Sequence, residues 1–169
     1  MKHTLLFFLL ISTLTGSASA MAGDDAQINI AGTIVASPCK VDPTNPTTIA
    51  LGDNIQAADL VNNASVSPPV EFHIKLIDCP AGTSEVTATF HGTNDPSQPN
   101  WLYANSGTAK NVTVQLSDGV GHGKGNGQSM TLPITGGGVD FQLDTEAYSL
   151  GGATPGTISA AITMSFVYN

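Results

Sequence analysis

Arginine is absent from this sequence of 169 residues, and all five of its basic residues are lysines. Thirteen acidic residues give the chain a formal net charge of −8. A surface with this charge repels phosphate backbones and anionic lipid headgroups. The composition therefore argues against nucleic-acid binding.

The sequence also lacks the spacings that mark common catalytic and metal sites. His73, His91 and His122 are isolated, with no His-x-His or His-x-x-x-His pattern that would hold a metal. The glycine-rich run at residues 119–127 has no Gly-Lys-Ser/Thr ending, so we expect a flexible hairpin loop rather than a phosphate-binding loop. No Gly-x-Ser-x-Gly motif or carboxylate pair stands out. We predict a protein that is not an enzyme and needs no cofactor or metal.

Long hydrophobic runs are absent except near the N-terminus. The apolar run at residues 5–11 follows Lys2 and precedes small residues at 16–22, which is the order of a secretory signal peptide. The run is too short for a membrane anchor, which needs about 20 residues. Cleavage after Ala20 or after Ala22 fits the small-residue rule, and we favour Ala22. Residues 1–22 are thus predicted to direct export, with no direct membrane insertion of the mature chain.

Only two cysteines are present, Cys39 and Cys79, and both follow the predicted signal peptide. In an exported protein an even cysteine count favours a disulfide bond. A pair of free thiols with a metal or redox role is the alternative, but no Cys-x-x-Cys spacing supports it. The predicted disulfide would stabilise the fold by roughly 4 kcal/mol in the chain-entropy model.

Short stretches of alternating apolar and polar residues recur along the chain, separated by clusters of Gly, Pro, Asn and Asp. Alternation predicts strands with one buried and one wet face, as in antiparallel sheets. Helical periodicity does not extend beyond one turn near residues 56–61. The pattern predicts a single all-β domain, an immunoglobulin-like Greek-key sandwich. The predicted strands are residues 26–36, 47–51, 70–77, 85–91, 111–117, 139–143 and 158–168.

The two terminal strands of the exported chain do not fit a closed sandwich. The first runs into the following residues without a turn signal, and its apolar face is Ala26, Ile28, Ile30, Gly32 and Ile34. The last, at residues 156–168, is the longest amphipathic strand, and no further strand follows it in this sequence. We therefore expect the domain to lack its last strand and to expose an edge. The N-terminal strand of a second copy could cover that edge.

Five segments in order resemble the pilins of chaperone–usher fimbriae, above all the tip-fibrillum adaptor subunits of type 1 fimbriae. They read INIAGTIVASPC, FHIKLIDCP, SEVTATFHGT, GTAKNVTVQL and GATPGTISAAITMSFVY. The glycine and the penultimate aromatic residue of the family's C-terminal pattern correspond to Gly156 and Tyr168. The resemblance spans nearly the whole exported chain.

The resemblance implies assembly by donor-strand complementation, in which one subunit completes the sandwich of the next. Residues 23–36 would be the donor-strand extension and residues 37–169 the pilin domain. The donor face would be Ala26, Ile28, Ile30, Gly32 and Ile34. The acceptor strand would present Gly156, Ile158, Ala160, Ile162, Met164, Phe166, Tyr168 and Asn169. The implied partners are a periplasmic chaperone, an outer-membrane usher and neighbouring pilins, and the implied destination is a fimbria on the bacterial surface.

Two other roles are weighed against that of an adaptor. A repeated shaft subunit would use the same donor and acceptor strands. A carbohydrate-binding adhesin would use Trp101 and Tyr103, near Asn100 and Asn105, to stack on a sugar. Adhesins of the family carry a separate receptor-binding domain and lack the donor extension, whereas this sequence shows the opposite arrangement. The adaptor role is therefore our prediction.

Overall fold

The computed structural model describes residues 29–33 and 37–169. The chain divides into two units, residues 1–33 and residues 34–169. In the first unit, the described residues form no regular secondary structure and are all exposed. Ile30 has 92% of its surface exposed. Three residues of the predicted donor face, Ala26, Ile28 and Ile34, lie outside the described residues.

The described part of the second unit consists of β-strands and one short 3-10 helix, Ala57–Leu60. The prediction of an all-β fold is therefore confirmed. No helix among the described residues has the length and apolar character needed to span a membrane. The strands are β1 (Lys40–Val41), β2 (Asn63–Val66), β3 (Val70–Ile77), β4 (Glu85–Gly92), β5 (Leu102–Ala104), β6 (Val112–Asp118), β7 (Ser129–Pro133), β8 (Val139–Leu150) and β9 (Ile162–Tyr168).

These strands form two antiparallel sheets. The larger has the order β1-β3-β8-β6-β5, and β2 also pairs with β8. The smaller has the order β7-β4-β9. Several consecutive strands, such as β3 and β4 or β8 and β9, lie in different sheets, so the chain crosses repeatedly between the layers. This is the connectivity of a sandwich, with the core between the two inner faces.

The core follows from the alternation along the longer strands. On β4, Val86, Ala88 and Phe90 are fully buried, and on β8 Phe141 and Leu143 are fully buried. Each of these residues is two positions from the next, so one face of each strand turns inward. The polar residues between them face outward, as the sequence pattern predicts.

The predicted disulfide is confirmed by the bond between Cys39 and Cys79. It joins the residue before β1 to a residue just beyond β3, at the end where these two strands pair. Beside it, the Lys40 Nζ atom lies 3.0 Å from the Asp78 Oδ2 atom. The disulfide thus holds β1 at the outer side of β3.

Residues 47–51, predicted as a strand, form no strand. Just before them, the Asn45 side chain forms hydrogen bonds to the Lys75 backbone like those that a neighbouring strand would form. Its Oδ1 atom accepts a bond of 2.8 Å from the Lys75 amide, and its Nδ2 atom donates a bond of 2.9 Å to the Lys75 carbonyl. A side chain therefore ends the pairing with β3, and the backbone of residues 47–51 does not continue it.

The loop predicted at residues 119–127 folds back on the end of β6 like a hairpin, with an antiparallel bridge between Ser117 and Gly123. It then continues to β7 in the other sheet, and Asp118 holds its turn. The Asp118 Oδ1 atom accepts backbone hydrogen bonds from Val120 (3.2 Å) and His122 (2.8 Å). Its Oδ2 atom accepts one from the buried Lys124 ammonium (3.0 Å). Burial alone would raise the pKa of Asp118, but the bonds from His122 and Lys124 outweigh it and hold that pKa at about 2. The loop is therefore folded around an ionised carboxylate.

Candidate functional site

Strand β9 lies at the edge of the smaller sheet, where it pairs with β4 on one side. No strand of residues 37–169 pairs with its other side. An open edge of this kind presents unpaired backbone groups and is a template for pairing with another chain. The edge of β9 is therefore the candidate site.

The direction of the free backbone groups follows from the ladder between β4 and β9. Glu85 and Asn169 exchange two backbone hydrogen bonds, of 3.2 and 3.1 Å. Bonded and non-bonded pairs alternate in an antiparallel ladder, so Thr163, Ser165 and Val167 direct their backbone groups to β4. The N–H and C=O groups that point to the open edge belong to the residues between them, Ile162, Met164, Phe166 and Tyr168.

Side chains follow the same alternation. Ile162, Met164, Phe166 and Tyr168 face the core and are half-buried, whereas the residues between them are exposed. Met164, Phe166 and Tyr168 pack against the core cluster that contains Val86 and Phe141. The same four residues thus offer both unpaired backbone groups and incompletely covered apolar side chains. A strand placed on this edge would satisfy both.

A groove of about 380 Å³ runs beside this edge. Its apolar lining includes Ile162 and Met164 of β9 and Ile74 of β3. The opposite rim is formed by the end of β1 and the segment that follows it, with Val41, Asp42, Pro43, Asn45, Pro46 and Thr47. The groove therefore separates the open edge of the smaller sheet from the β1 side of the larger sheet.

Asp42 adds a charge to the rim of the groove. Its Oδ1 atom accepts hydrogen bonds from the Thr44 amide (2.8 Å) and the Thr44 hydroxyl (2.7 Å). These bonds lower the pKa of the Asp42 carboxyl below its usual value. Asp42 is therefore ionised at neutral pH.

Tyr168 lies at the C-terminal end of β9. Burial raises the pKa of its hydroxyl, which stays neutral.

The predicted acceptor strand at residues 156–168 is regular only from Ile162. Residues 157–159 bond instead to the loop at residues 105–109: the Thr157 carbonyl accepts a bond from Ala109 N (3.1 Å), and the Ser159 carbonyl accepts one from Ser106 N (2.8 Å). A Cβ atom on Gly156 would stand 2.4 Å from Ala109 N, so this close approach requires glycine. Ile158 and Ala160 nevertheless remain half-buried and pack on the core. The apolar face therefore continues beyond the regular strand, while the ladder does not.

Several groove residues were missed by sequence reasoning, which named only the C-terminal strand. The alternation of residues 70–77 indicates that Ile74 faces inward, but no local signal indicates that it lies across from Met164. Val41, Asp42 and Asn45 lie in a turn-rich stretch that carries no periodic pattern. Their place in the groove depends on tertiary packing.

The aromatic residues considered for sugar binding do not form one surface. Tyr103 is fully buried, and its hydroxyl donates a hydrogen bond of 2.8 Å to the Lys124 carbonyl. Asn105 uses its side chain to bond the backbone of Gly107, Ala109 and Ser159. Of the two aromatic residues, only Trp101 is exposed, with 46% of its surface accessible. Tyr103 and Asn105 thus have structural roles.

Metal-binding residues are not gathered in the part of the chain that the structure describes: no group of three or more His, Cys, Asp or Glu side chains is placed to hold an ion. His91 bonds the Ser165 hydroxyl (2.8 Å), and His73 lies between Asp140 (2.8 Å) and Glu71 (3.2 Å). Both histidines are on outward faces of the sheets, away from the groove.

Comparison with known proteins agrees with this geometry. The family model described as "Fimbrial protein" matches residues 28–169. The chain belongs to the fimbrial protein family. Protein FimG of Escherichia coli strain K12 is 33% identical over 165 residues, which cover 96% of each chain. The S-fimbrial adhesin protein SfaS of Escherichia coli O6:K15:H31 is 34% identical over 170 residues, covering 99% of this chain and 98% of the relative.

Among solved structures, the P pilus rod subunit PapA superposes with a TM-score of 0.66 at 17% identity. The match covers 79% of this chain and all of PapA. A likeness at this identity supports the fold, an immunoglobulin-like sandwich of the pilin type. The protein is a chaperone–usher pilin, as the resemblance of its sequence motifs predicts.

Proposed function

We propose that this pilin joins its neighbours by strand exchange, with the open edge of β9 as acceptor and residues 26–34 as donor. One observation carries the proposal: Ile162, Met164, Phe166 and Tyr168 combine free backbone groups with half-buried apolar side chains. Such an edge accepts a strand that bonds through its backbone and fills the groove with alternate side chains. Ile30, at 92% exposure, is an apolar side chain suited to that use.

The energy of the joint is adequate for a fibre without covalent links. Burial of the three donor isoleucines would contribute about 5–9 kcal/mol. Backbone hydrogen bonds to the open edge would add about 1 kcal/mol each. Ordering of the donor segment and the loss of translational freedom offset part of this gain.

Within the fibre we propose the role of a non-enzymatic minor subunit of the adaptor type, exported through the periplasm with a chaperone and assembled at an outer-membrane usher. The similarity of its motifs to adaptor pilins and the identity with FimG over 96% of the chain support this role. Mass spectrometry of sheared fibres tests it. An adaptor would be present at about one copy per fibre, whereas a shaft subunit would be present in great excess.

Addition of a synthetic donor peptide tests the strand exchange. A peptide of residues 24–35 should raise the melting temperature of the dilute mature protein, because a ligand that binds only the folded state stabilises it. The matched control is the same peptide with Ile30→Asp. A monodisperse monomer whose melting temperature is unchanged by the native peptide would contradict the proposal.

A further inference from the structure

We propose that the groove selects a donor strand that carries a basic side chain, and hence the extension of a different subunit rather than of a second copy. This inference rests on the proposed strand exchange and names the partner of the same groove. It is drawn from the charge of Asp42, the shape of the lining and the composition of the chain's own extension.

Asp42 is the ionised group of the groove rim. Both of its bonds go to Thr44 and use the Oδ1 atom. Among residues 37–169 the carboxylate forms no ion pair. The charge of Lys75 helps to lower the pKa of Asp42, but the Lys75 Nζ atom makes its ion pair with Asp140, at 4.0 Å from the Oδ2 atom. An ionised carboxylate beside an apolar groove is a site for a cation, because charge-assisted bonds are about twice as strong as neutral ones.

The lining suits a long side chain with a charged end. Ile74, Ile162 and Met164 supply apolar surface for a methylene stem, and Asp42 lies at the rim of the same groove. Lysine and arginine side chains bury their stems in this way while the charged head stays near water. Asn45 does not compete for the head group, because its amide is already bonded to the Lys75 backbone.

The side chains of the chain's own extension supply no such cation. Residues 23–36 contain Asp24 and Asp25 but no lysine or arginine. A second copy would therefore leave Asp42 unpaired beside the buried strand and would bring two further carboxylates. A donor strand with lysine or arginine at the position facing Asp42 would pair it. Opposite charges attract the correct partner and like charges exclude the wrong one, which is how charge sets specificity.

A lysine scan of the donor peptide tests the inference without assuming a register. Nine variants of the 24–35 peptide each carry one lysine, at a position from 26 to 34, and their affinities for the mature protein are measured by competition with a labelled native peptide. We expect one or two variants to bind about two- to fivefold more tightly than the native peptide, the gain typical of an exposed ion pair. The advantage should disappear in the Asp42→Asn protein, which keeps the acceptor for Thr44. It should persist in Asp59→Asn, which removes the same charge outside the groove lining.

The outcomes separate the inference from the proposed function. If the native peptide binds and no lysine variant binds more tightly, the inference is overturned and strand exchange stands. If a lysine variant gains equally in Asp42→Asn, the cation is held elsewhere and the inference is also wrong. If no peptide binds, strand exchange itself fails. If Asp42→Asn does not fold, the unmodified protein still tests the inference. The gain in affinity of the best lysine peptide over the native peptide must shrink as salt is raised from about 0.05 to about 0.5 M.

Discussion

The aromatic rings of Phe141 and Phe166 lie with their centroids 5.8 Å apart and their planes tilted by 38°. Phe141 is fully buried on β8, in the larger sheet, whereas Phe166 is half-buried on β9, at the edge of the smaller one. The contact joins the two sheets next to the open edge. The open edge of β9 is therefore held in position by a residue of the core.

Replacement of Phe166 by alanine should reduce the stability of the domain. Removal of the ring takes away its contact with Phe141 and should lower the free energy of unfolding by about 2–4 kcal/mol. Val167→Ala is the matched control: its side chain is 58% exposed on the outward face, and we expect a change below about 1 kcal/mol. Urea denaturation followed by fluorescence measures the free energy of unfolding of the two variants. Equal losses would show that Phe166 does not anchor the edge.

Replacement of Cys39 and Cys79 by serine should reduce the yield of folded protein in an oxidising compartment. The disulfide closes a sequence separation of 40 residues, so its loss should cost roughly 4 kcal/mol, a large share of a domain's stability. The yield of soluble protein and the urea midpoint measure the effect. Labelling of free thiols in the unreduced native protein is the direct check, and two reactive thiols there would contradict the bond.

Substitution on the donor face should prevent assembly without damage to the domain. Ile30→Asp would place a carboxylate in an apolar groove, at a cost of several kcal/mol. Asn29→Asp, on the other face by alternation, should matter much less. Purified variants are mixed with a subunit that has an empty groove, and joined pairs are counted by native electrophoresis. Equal joining by both variants would show that the assigned register is wrong.

The Asp118 carboxylate should make stability depend on acid pH. Its pKa of about 2 in the folded protein lies below the value of about 3.9 in an unfolded chain. A lowered pKa means that its contribution is present above pH 4 and is lost as the pH falls toward 2, by about 1–2 kcal/mol.

The test compares the native protein with Asp118→Asn by urea midpoints from pH 7 to pH 2. The variant should be less stable at pH 7, because buried Lys124 loses its partner, and the two curves should converge at low pH. Asp59→Asn, which removes an exposed carboxylate, should follow the native curve. Parallel curves for the native protein and Asp118→Asn would contradict the assignment.

The strands that could be predicted from the sequence are those in which alternation is complete. β3, β4 and β9 alternate apolar and polar residues along their length, and β3 and β4 were predicted close to their actual bounds. β9 was predicted from residue 158 but begins at Ile162. β8 was predicted only to Leu143 but extends to Leu150. Its later inward positions include Thr145 and Ser149, which are buried but polar, so the apolar signal fades while the burial continues.

Short strands gave no usable pattern. In β5, Leu102 and Tyr103 are adjacent and both are buried, so no alternation marks the strand. β7 ends at Pro133, a residue that argues against a strand except at an edge, where β7 lies. The C-terminal strand was predicted because one apolar face runs along its whole length. The opposite rim of the groove, at Val41 and Asp42, was not predicted. Its position is set by the disulfide and by the bonds of Asn45 to Lys75.

The alternating backbone of β9 has a consequence for hydrogen exchange. In a subunit with an empty groove, the amide protons of Thr163, Ser165 and Val167 are bonded to β4 and should exchange slowly. Those of Met164, Phe166 and Tyr168 face the open edge and should exchange fast, so protection rises and falls with a period of two residues. A bound donor strand would slow the fast set and leave the slow set little changed. Residue-resolved exchange would thus read the occupancy of the groove directly, one amide at a time along the edge.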